Sequence, residues 1–414
     1  MNAGLVYPEL RGKQILVTGG SGFIGGRLVE KLILDCHAQV RVLMRNIARS
    51  PRVARFSVEL VEGDVTDPIS IQRAVSGCEI VFHCAYGNSG DQATRRRINV
   101  EGTKNILDAS LRSGVKRLVH VSTLMVYSIK DGDLDETAPR RYSGHTYADS
   151  KLEAEEQVIS YVKKYGLPAS IVQPCTVYGP FAPYWTAALL KGIQTGRLIL
   201  VNGGSGLCNA VYVDDVVHAM LLAATKDGAV GEAFLISASQ PVTWKEFYGS
   251  YERMLGLTGT VDLSIAEAES HYLKKQALPS VLAEMKHVFV DNESLRERIL
   301  NTREIRAMIN TANAVIPEKI WKLLKSRLLS SRNQNSVENR AEGQKPIHAI
   351  DPTMVRFCAA KTYVRIDKAR RMLGYEPGFD LKSGMNLTEQ WARWADLLGD
   401  TSSRHSASGA QSSV

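Results

Sequence analysis

Short apolar segments rich in β-branched residues alternate with amphipathic helical segments over the first half of the chain. The apolar segments lie at 13–18, 39–44, 57–61, 79–84, 117–122 and 168–173, and the helical segments at 23–35, 68–76, 92–113 and 147–165. Strands separated by helices of this length predict parallel βαβ units. The strands are almost continuously apolar, as expected for strands buried on both faces. We therefore predict an α/β fold with a doubly wound parallel sheet.

The regular alternation stops near residue 175, which divides the chain into two predicted domains. The first covers 1–174 and is completed by parts of 205–240. The second covers 175–400 and is a smaller α/β domain that binds substrate. Its predicted elements are strands at 210–213 and 233–237, helices at 244–256 and 264–276, a mostly helical stretch at 279–327 and a mobile polar insert near 330–347. The final segment, 401–414, is predicted to be a disordered tail.

A glycine-rich loop joins the first strand to the first helix. Gly19, Gly22 and Gly25 follow the order of strand, tight turn and helix start. In this order the first glycine permits the turn, the second lets the backbone approach a pyrophosphate, and the third allows close packing of helix on strand. Amides at the helix start, where Phe23 and Ile24 lie, are suited to bind phosphates. Together with the βαβ units, this predicts a Rossmann-type domain that binds NAD or NADP.

The end of the second strand bears on the choice between NAD and NADP. A carboxylate there would bind the adenosine ribose 2′-hydroxyl and favour NAD. The sequence instead reads Leu43-Met44-Arg45-Asn46. Arg45 could pair with a 2′-phosphate, which favours NADP, or it could be a solvated surface arginine. Both cofactors remain open.

A tyrosine and a lysine four residues apart open the helix predicted at 147–165. Tyr147 and Lys151 share one face of this helix. A nearby ammonium stabilises a phenolate, so we expect Lys151 to lower the pKa of Tyr147 toward neutrality. The preceding strand ends in Ser122-Thr123, at the sheet edge where ligands of such folds bind. A hydroxyl there could hydrogen-bond a substrate alcohol or carbonyl.

These ordered motifs resemble the short-chain dehydrogenase/reductase superfamily, in its extended branch of NAD(P)-dependent epimerases and dehydratases. The resemblance is close over 13–240 and looser beyond. It implies that Thr123 is the catalytic hydroxyl, Tyr147 the acid–base and Lys151 its partner. It also implies that Asn99, in INVEGTKN, supports the geometry of the catalytic site.

The resemblance implies further cofactor contacts: Asp64 and Val65 with the adenine ring, the backbone at Cys84, Ala85 and Tyr86 with ribose and phosphates, and Pro174 near the nicotinamide. The chain departs from the family pattern at Gln173, where an arginine is usual. His83 is interpreted as a packed histidine rather than a base, and Asp214-Asp215 as a helix start rather than paired acids. Tyr184 and Trp185 either line the substrate pocket or pack the second domain.

Dehydration, epimerisation and simple oxidation or reduction are the three reactions of the branch, and all begin with the same hydride transfer. The family's 4,6-dehydratases carry Asp-Glu directly after the catalytic threonine, and Leu124-Met125 here cannot transfer protons, which argues against dehydration. A nucleotide-sugar epimerase is the first interpretation, although Thr176 replaces an asparagine common in those enzymes. The alternative is an NADP-dependent dehydrogenase or reductase of a hydrophobic alcohol, similar to 3β-hydroxysteroid dehydrogenases or dihydroflavonol reductases. A cofactor-binding regulator without catalysis is a third possibility.

Composition narrows the remaining classes of function. The chain has 414 residues, 44% hydrophobic, and a net charge of +8 that is spread along the sequence without a nucleic-acid-binding pattern. Six cysteines lack metal-binding or disulfide spacing, so we expect reduced thiols and no metal site. We see no signal peptide and no apolar run of membrane-spanning length. We expect a cytoplasmic protein, without nucleic-acid partners, that forms a homodimer through the helices at 92–113 and 147–165, as the resemblance implies.

Overall fold

The fold is described from a computed structural model, which covers residues 7–87, 90–276 and 345–399. The predicted helical stretch at 279–327, most of the insert at 330–347 and the tail at 401–414 lie outside the described residues.

The main sheet has seven parallel strands, and its order shows the double winding. In chain order the strands that form it are β1 (Gln14–Thr18), β2 (Gln39–Met44), β3 (Glu59–Glu62), β4 (Ile80–His83), β5 (Arg117–Val121), β7 (Ala169–Pro174) and β12 (Ala233–Ile236). Their spatial order is β12-β7-β5-β4-β1-β2-β3. The chain therefore runs outward from β1 in one direction and then returns to extend the sheet in the other. The Rossmann-type α/β prediction is confirmed.

Helices cover both faces of this sheet. Helices α1 (Phe23–Leu34) and α8 (Val213–Thr225) pack on one face, and α3 (Pro68–Val75), α5 (Gly102–Arg112) and α6 (Thr146–Tyr165) on the other. Each face has its own cluster of buried apolar side chains, because alternate residues of the buried strands point to opposite sides. Helices α5 and α6 pack against each other, but the homodimer they suggest stays a prediction.

The helix predicted as continuous over 92–113 is interrupted. It consists of α4 (Gln92–Arg96), one π-helical turn (Arg97–Glu101) and then α5. A π turn contains an extra residue and rotates the side chains that follow, and such turns concentrate at functional sites. This turn contains Asn99, which is buried.

The remaining elements come mostly from the second half of the described chain, where they form smaller sheets and helices beside the carboxyl edge of the main sheet. The strands are β6 (Gly132–Leu134), β8 (Thr176–Tyr178), β9 (Arg197–Val201), β10 (Leu207–Cys208), β11 (Ala210–Tyr212), β13 (Val242–Thr243), β14 (Thr260–Leu263), β15 (Ile347–His348) and β16 (Thr362–Val364). The helices are α2 (Pro51–Ala54), which belongs to the first half, α7 (Leu189–Thr195), α9 (Trp244–Leu255), α10 (Ile265–Gln276), α11 (Pro352–Ala359), α12 (Asp367–Leu373) and α13 (Leu381–Trp394). None of the helices in the described ranges has the length and apolar character needed to cross a bilayer.

Asp214 and Asp215 lie in the first turn of α8 and tie it to other elements. Arg27 of α1 donates to both carboxylate oxygens of Asp214, at 2.6 and 2.7 Å. The buried Asp215 accepts from the backbone amides of Gly378 and Phe379 at 2.7 and 3.2 Å. Both acids therefore fix α8 to neighbouring segments. Their place in the first turn of α8 agrees with their interpretation as a helix start.

Candidate active site

A cleft of about 420 Å³ lies at the carboxyl edge of the main sheet, where the segments after β1, β2, β4, β5 and β7 meet. Apart from Asn99, the predicted site residues line it: Gly19, Gly22, Phe23, Ile24, Gly25, Arg45, Asp64, Val65, Cys84, Ala85, Thr123, Tyr147, Lys151 and Pro174. Residues far apart in sequence converge there because parallel strands end at the same edge.

The glycine loop packs too closely against neighbouring backbone to admit a side chain at Gly19 or Gly25. Gly19 has φ of +70°, and a Cβ there would lie 2.7 Å from the backbone nitrogen of Ala85. A Cβ on Gly25 would lie 2.3 Å from the carbonyl oxygen of Gly19. Helix α1 begins at Phe23, and no side chain in the described structure caps its first amides. These amides border the cleft and can bind an anionic pyrophosphate.

Two polar side chains mark the end of the cleft near β2 and β3. Arg45 follows β2, is exposed and borders the cleft, so its guanidinium is free to bind a phosphate group of a ligand there. Asp64 accepts hydrogen bonds from the Thr66 amide and hydroxyl, both at 2.8 Å. These bonds fold the loop after β3 back on itself, and Val65 then borders the cleft.

The proton-bearing side chains lie close together at the other end. Thr123 hydrogen-bonds to the phenol of Tyr147. Lys151, one helical turn after Tyr147, is buried and donates from Nζ to the carbonyl oxygen of Val121 at 2.9 Å. The three residues predicted to carry catalysis are thus grouped between the end of β5 and the start of α6.

The direction of the Tyr147 pKa differs from the sequence-based expectation. Burial has the largest effect and raises the pKa of Tyr147, while the hydrogen bond with Thr123 lowers it. Burial also lowers the pKa of Lys151 to about 8, against the opposing influence of Cys84 and Glu155. The expectation that Lys151 brings the pKa of Tyr147 toward neutrality is therefore wrong for this arrangement. The ammonium is directed to the Val121 carbonyl, and desolvation dominates both groups.

Asn99 does not line the cleft but supports two segments that do. Its side-chain oxygen accepts from the amide of Gly87 at 2.8 Å, and its amide nitrogen donates to the Gly87 carbonyl and to Ser150 Oγ, both at 3.3 Å. It thereby joins the segment after β4 to α6, one residue before Lys151. The π turn gives Asn99 this orientation, so its position is that of a supporting residue.

Aromatic side chains complete the end of the cleft around Tyr147. The rings of Tyr86 and Tyr147 meet edge to face with centroids 5.1 Å apart. Tyr184, which is exposed, and Trp185 also line the cleft, and Trp185 additionally packs on Trp244. Both alternatives for Trp185, pocket and packing, are therefore realised. The side chain of Tyr86 was missed by sequence reasoning, which considered only the backbone of that segment.

A buried charge network lies one turn beyond Lys151. Glu155 is fully buried on α6 and accepts two bonds from Gln173 Nε2, at 3.0 and 2.9 Å. Arg140 forms an ion pair with it at 2.5 Å. Tyr127 donates to Gln173 Oε1 at 3.0 Å. Arg140 thus supplies a positive charge to the carboxylate although position 173 has no arginine.

Other candidate groups have packing roles. His83 is buried and bonded to the hydroxyls of Thr18 at 2.7 Å and Thr103 at 3.0 Å, and burial lowers its pKa to about 3. It is therefore neutral, as the packed-histidine interpretation expects. Leu124, in the position where a dehydratase has an acid, is buried. All six cysteines are free, and no group of potential metal ligands occurs within the described ranges.

Comparisons with known proteins bear on the family and the fold of this chain. The model of the NAD dependent epimerase/dehydratase family matches residues 15–237. A ketoreductase of Stigmatella aurantiaca, named for a 3-oxo-4-farnesyl-dihydroquinoline-1-oxide, is 29% identical over 62% of this chain and 78% of its own. A 2-alkyl-3-oxoalkanoate reductase of Stenotrophomonas maltophilia is 31% identical over 56% and 73%. The structure of a dTDP-glucose 4,6-dehydratase of Streptomyces venezuelae with NAD bound has a TM-score of 0.61 at 22% identity, covering 92% of this chain and 98% of that one.

Proposed function

Because this chain belongs to the NAD-dependent epimerase/dehydratase family, we propose that it interconverts a hydrophobic ketone and its secondary alcohol with a nicotinamide dinucleotide, preferring NADP. The chain is an NAD(P)-dependent enzyme of the extended short-chain dehydrogenase/reductase type.

The chemistry of the cleft lining is the observation that carries this proposal. Among the described residues that line it, the charged side chains are Arg45, Asp64 and Lys151. Arg45 and Asp64 lie at the end of the cleft near β2 and β3, and Lys151 is directed to a backbone carbonyl. A nucleotide sugar brings a second diphosphate, which needs cationic or amide partners. The lining beyond Tyr147 is instead aromatic and apolar, formed by Tyr86, Cys175, Val177, Ala182, Pro183, Tyr184 and Trp185.

The glycine loop fits the cofactor, because the amides at the start of α1 have no side-chain cap among the described residues and border the cleft, where they can bind a pyrophosphate. We assign phosphate binding to the amides of 22–25, the 2′-phosphate to Arg45, and the adenine to Asp64 and Val65. Cys84 and Ala85 would border the ribose, and Pro174 the nicotinamide. The bound dinucleotide would supply or accept a hydride.

The proton steps fall to the side chains near Tyr147. In reduction, the phenol of Tyr147 gives its proton to the carbonyl oxygen, and the hydroxyl of Thr123 donates a hydrogen bond to the same oxygen. The ammonium of Lys151 then stabilises the phenolate that remains. In alcohol oxidation the same steps run in reverse. Asn99, through its hydrogen bonds to Gly87 and Ser150, fixes the position of the segment that follows β4 relative to helix α6.

The first test measures NADPH consumption with a 3-oxosteroid and with a 2-alkyl-3-oxoalkanoate, beside conversion of UDP-glucose by the same preparation. We expect reduction of a hydrophobic ketone. We also expect Tyr147→Phe to lower kcat by about 10²- to 10⁴-fold while NADPH binding persists, since the variant lacks only the proton donor. An exposed tyrosine, replaced in Tyr142→Phe, is the matched control.

A nucleotide-sugar epimerase is the second candidate, and the likeness in fold to sugar-nucleotide enzymes supports it. An epimerase must restore its cofactor within each turnover and gains from retaining it. NAD released by denaturation at about one per chain, with conversion of UDP-glucose and no ketone reduction, would reject the reductase in favour of the epimerase.

A further inference from the structure

Tyr86 lies between the two groups on which proton transfer would depend. It follows β4 at the carboxyl edge of the sheet, and its ring lies edge to face with that of Tyr147, 5.1 Å between centroids. The Nζ atom of Lys151 lies over the same ring, 5.2 Å from its centroid. One aromatic side chain therefore contacts both the phenol ring and the ammonium.

The backbone that carries Tyr86 is fixed on both sides. The preceding Ala85 packs so closely on Gly19 that a Cβ on that glycine would lie 2.7 Å from the Ala85 nitrogen. The following Gly87 is bonded at its amide and its carbonyl to Asn99. A Cβ on Gly87 would also lie 2.8 Å from Ile98. The ring of Tyr86 is thus presented to Lys151 by a segment with little room to shift.

We propose that Tyr86 is a positioning residue, whose ring holds the Lys151 ammonium and the Tyr147 phenol in the arrangement that proton transfer requires. The negative face of an aromatic ring attracts a cation within about 6 Å, and the attraction is stronger where water is excluded. The edge-to-face contact further restricts rotation of the Tyr147 ring. This assignment rests on the proposed function for its catalytic consequence, but the hold on Lys151 can be measured without any substrate.

Other groups also influence the charge on Lys151 and must stay constant in the test. They are the thiol of Cys84 after β4, the carboxylate of Glu155 on α6, and the imidazoles of His83 on β4 and His120 on β5. The phenol of Tyr147 contacts the same Tyr86 ring and also stays in place. Replacing Tyr86 leaves all of these side chains in place. The variants then differ from the wild type near Lys151 in the side chain of residue 86.

The substrate-free experiment follows acetylation of Lys151 by acetic anhydride against pH in the full-length protein, read by mass spectrometry of the peptide containing Lys151. We expect Tyr86→Leu to lower the midpoint of this curve by about half a pH unit, because the ring no longer favours the ammonium. Tyr86→Phe retains the ring and should keep the wild-type midpoint. Water entering the space left by the ring would raise the midpoint, because burial is what lowers the pKa of Lys151, so it cannot produce the expected downward shift. A midpoint unchanged in Tyr86→Leu overturns the proposal.

Two controls keep the outcome interpretable. Tyr142→Leu removes an exposed aromatic ring elsewhere beside α6 and should leave the midpoint unchanged. If Tyr86→Leu does not fold, judged by circular dichroism, Tyr86→Met takes its place. With a ketone that the wild type reduces, kcat should fall about tenfold in Tyr86→Leu and stay within twofold in Tyr86→Phe. Loss of kcat in the Phe variant overturns the ring-based assignment, whereas inactivity of the wild type on every ketone rejects only the proposed function.

Discussion

Removing Arg140 should destabilise the protein through the carboxylate that it neutralises. Glu155 has no exposed surface and lies one helical turn after Lys151. Its partners are Arg140, 2.5 Å away, and the neutral amide of Gln173. In Arg140→Met the carboxylate keeps its two bonds from Gln173 but loses the positive charge. A buried charge without a counter-ion is costly, so the folded state should lose free energy.

The magnitude follows from the geometry of the pair. Breaking a fully buried ion pair costs about 3–5 kcal/mol. The Arg140 side chain is 30% exposed and Gln173 still binds the carboxylate, so we expect a loss of about 2–3 kcal/mol in the free energy of unfolding. Urea denaturation followed by circular dichroism measures this, provided that the slope with urea is unchanged. Arg365→Met is the control, because its pairs with Asp133 and Asp367 are exposed and should be worth less than about 1 kcal/mol.

A second substitution tests the cause. If the missing charge is responsible, Gln173→Arg in the Arg140→Met background should recover at least about 1 kcal/mol, since the new guanidinium lies beside Glu155. The larger side chain enters the space left by Arg140, and Tyr127 loses the acceptor that Gln173 provided, so recovery will be incomplete. A loss below about 1 kcal/mol in the single variant, or no recovery in the double variant, refutes the reasoning.

The cleft allows two further predictions. With a pKa of about 8, Lys151 loses its proton as pH rises through that value. We therefore expect kcat/KM for ketone reduction to fall above pH 8, approaching tenfold per pH unit. A kcat/KM that stays constant from pH 7 to 10 would contradict this. Arg45→Ala should weaken NADPH binding by about ten- to a hundredfold and NADH binding by less than about threefold, because one charge-assisted contact is lost. Fluorescence titration measures both affinities, with Arg371→Ala as the control, and equal losses for the two cofactors would remove Arg45 from the 2′-phosphate site.

The fold could be predicted because its signals are local. Each strand of the main sheet is a short apolar run, and each helix between them has an apolar stripe, so β1 to β5, β7 and their crossovers follow from the sequence. The positions of Tyr147 and Lys151 follow equally, since a spacing of four places them on one helix face. Strand ends converge in any sheet of this kind, which brings Thr123 to the same edge.

The parts that could not be predicted depend on contacts between distant segments. Arg140 reaches Glu155 because its segment forms a β-bridge with Tyr127, and no motif announces that pairing. The π turn at Asn99 interrupts the helical pattern, and the Gly102 that follows it does not by itself indicate an extra residue in the preceding turn. The pKa values of Tyr147 and Lys151 depend on how much water the surrounding segments exclude, which residue spacing does not encode.

These pKa directions bear on the direction of the proposed reaction. Burial raises the pKa of Tyr147 and lowers that of Lys151, so it disfavours both the phenolate and the ammonium. A phenol with a raised pKa keeps its proton at neutral pH but is also a weaker acid, whereas alcohol oxidation must begin from a phenolate, which burial disfavours. The phenolate that forms during reduction lies near an ammonium in a site with little water, where opposite charges attract strongly. Ketone reduction therefore starts from the protonated phenol that burial favours, and it depends on the neighbouring cation to stabilise the phenolate that proton transfer leaves.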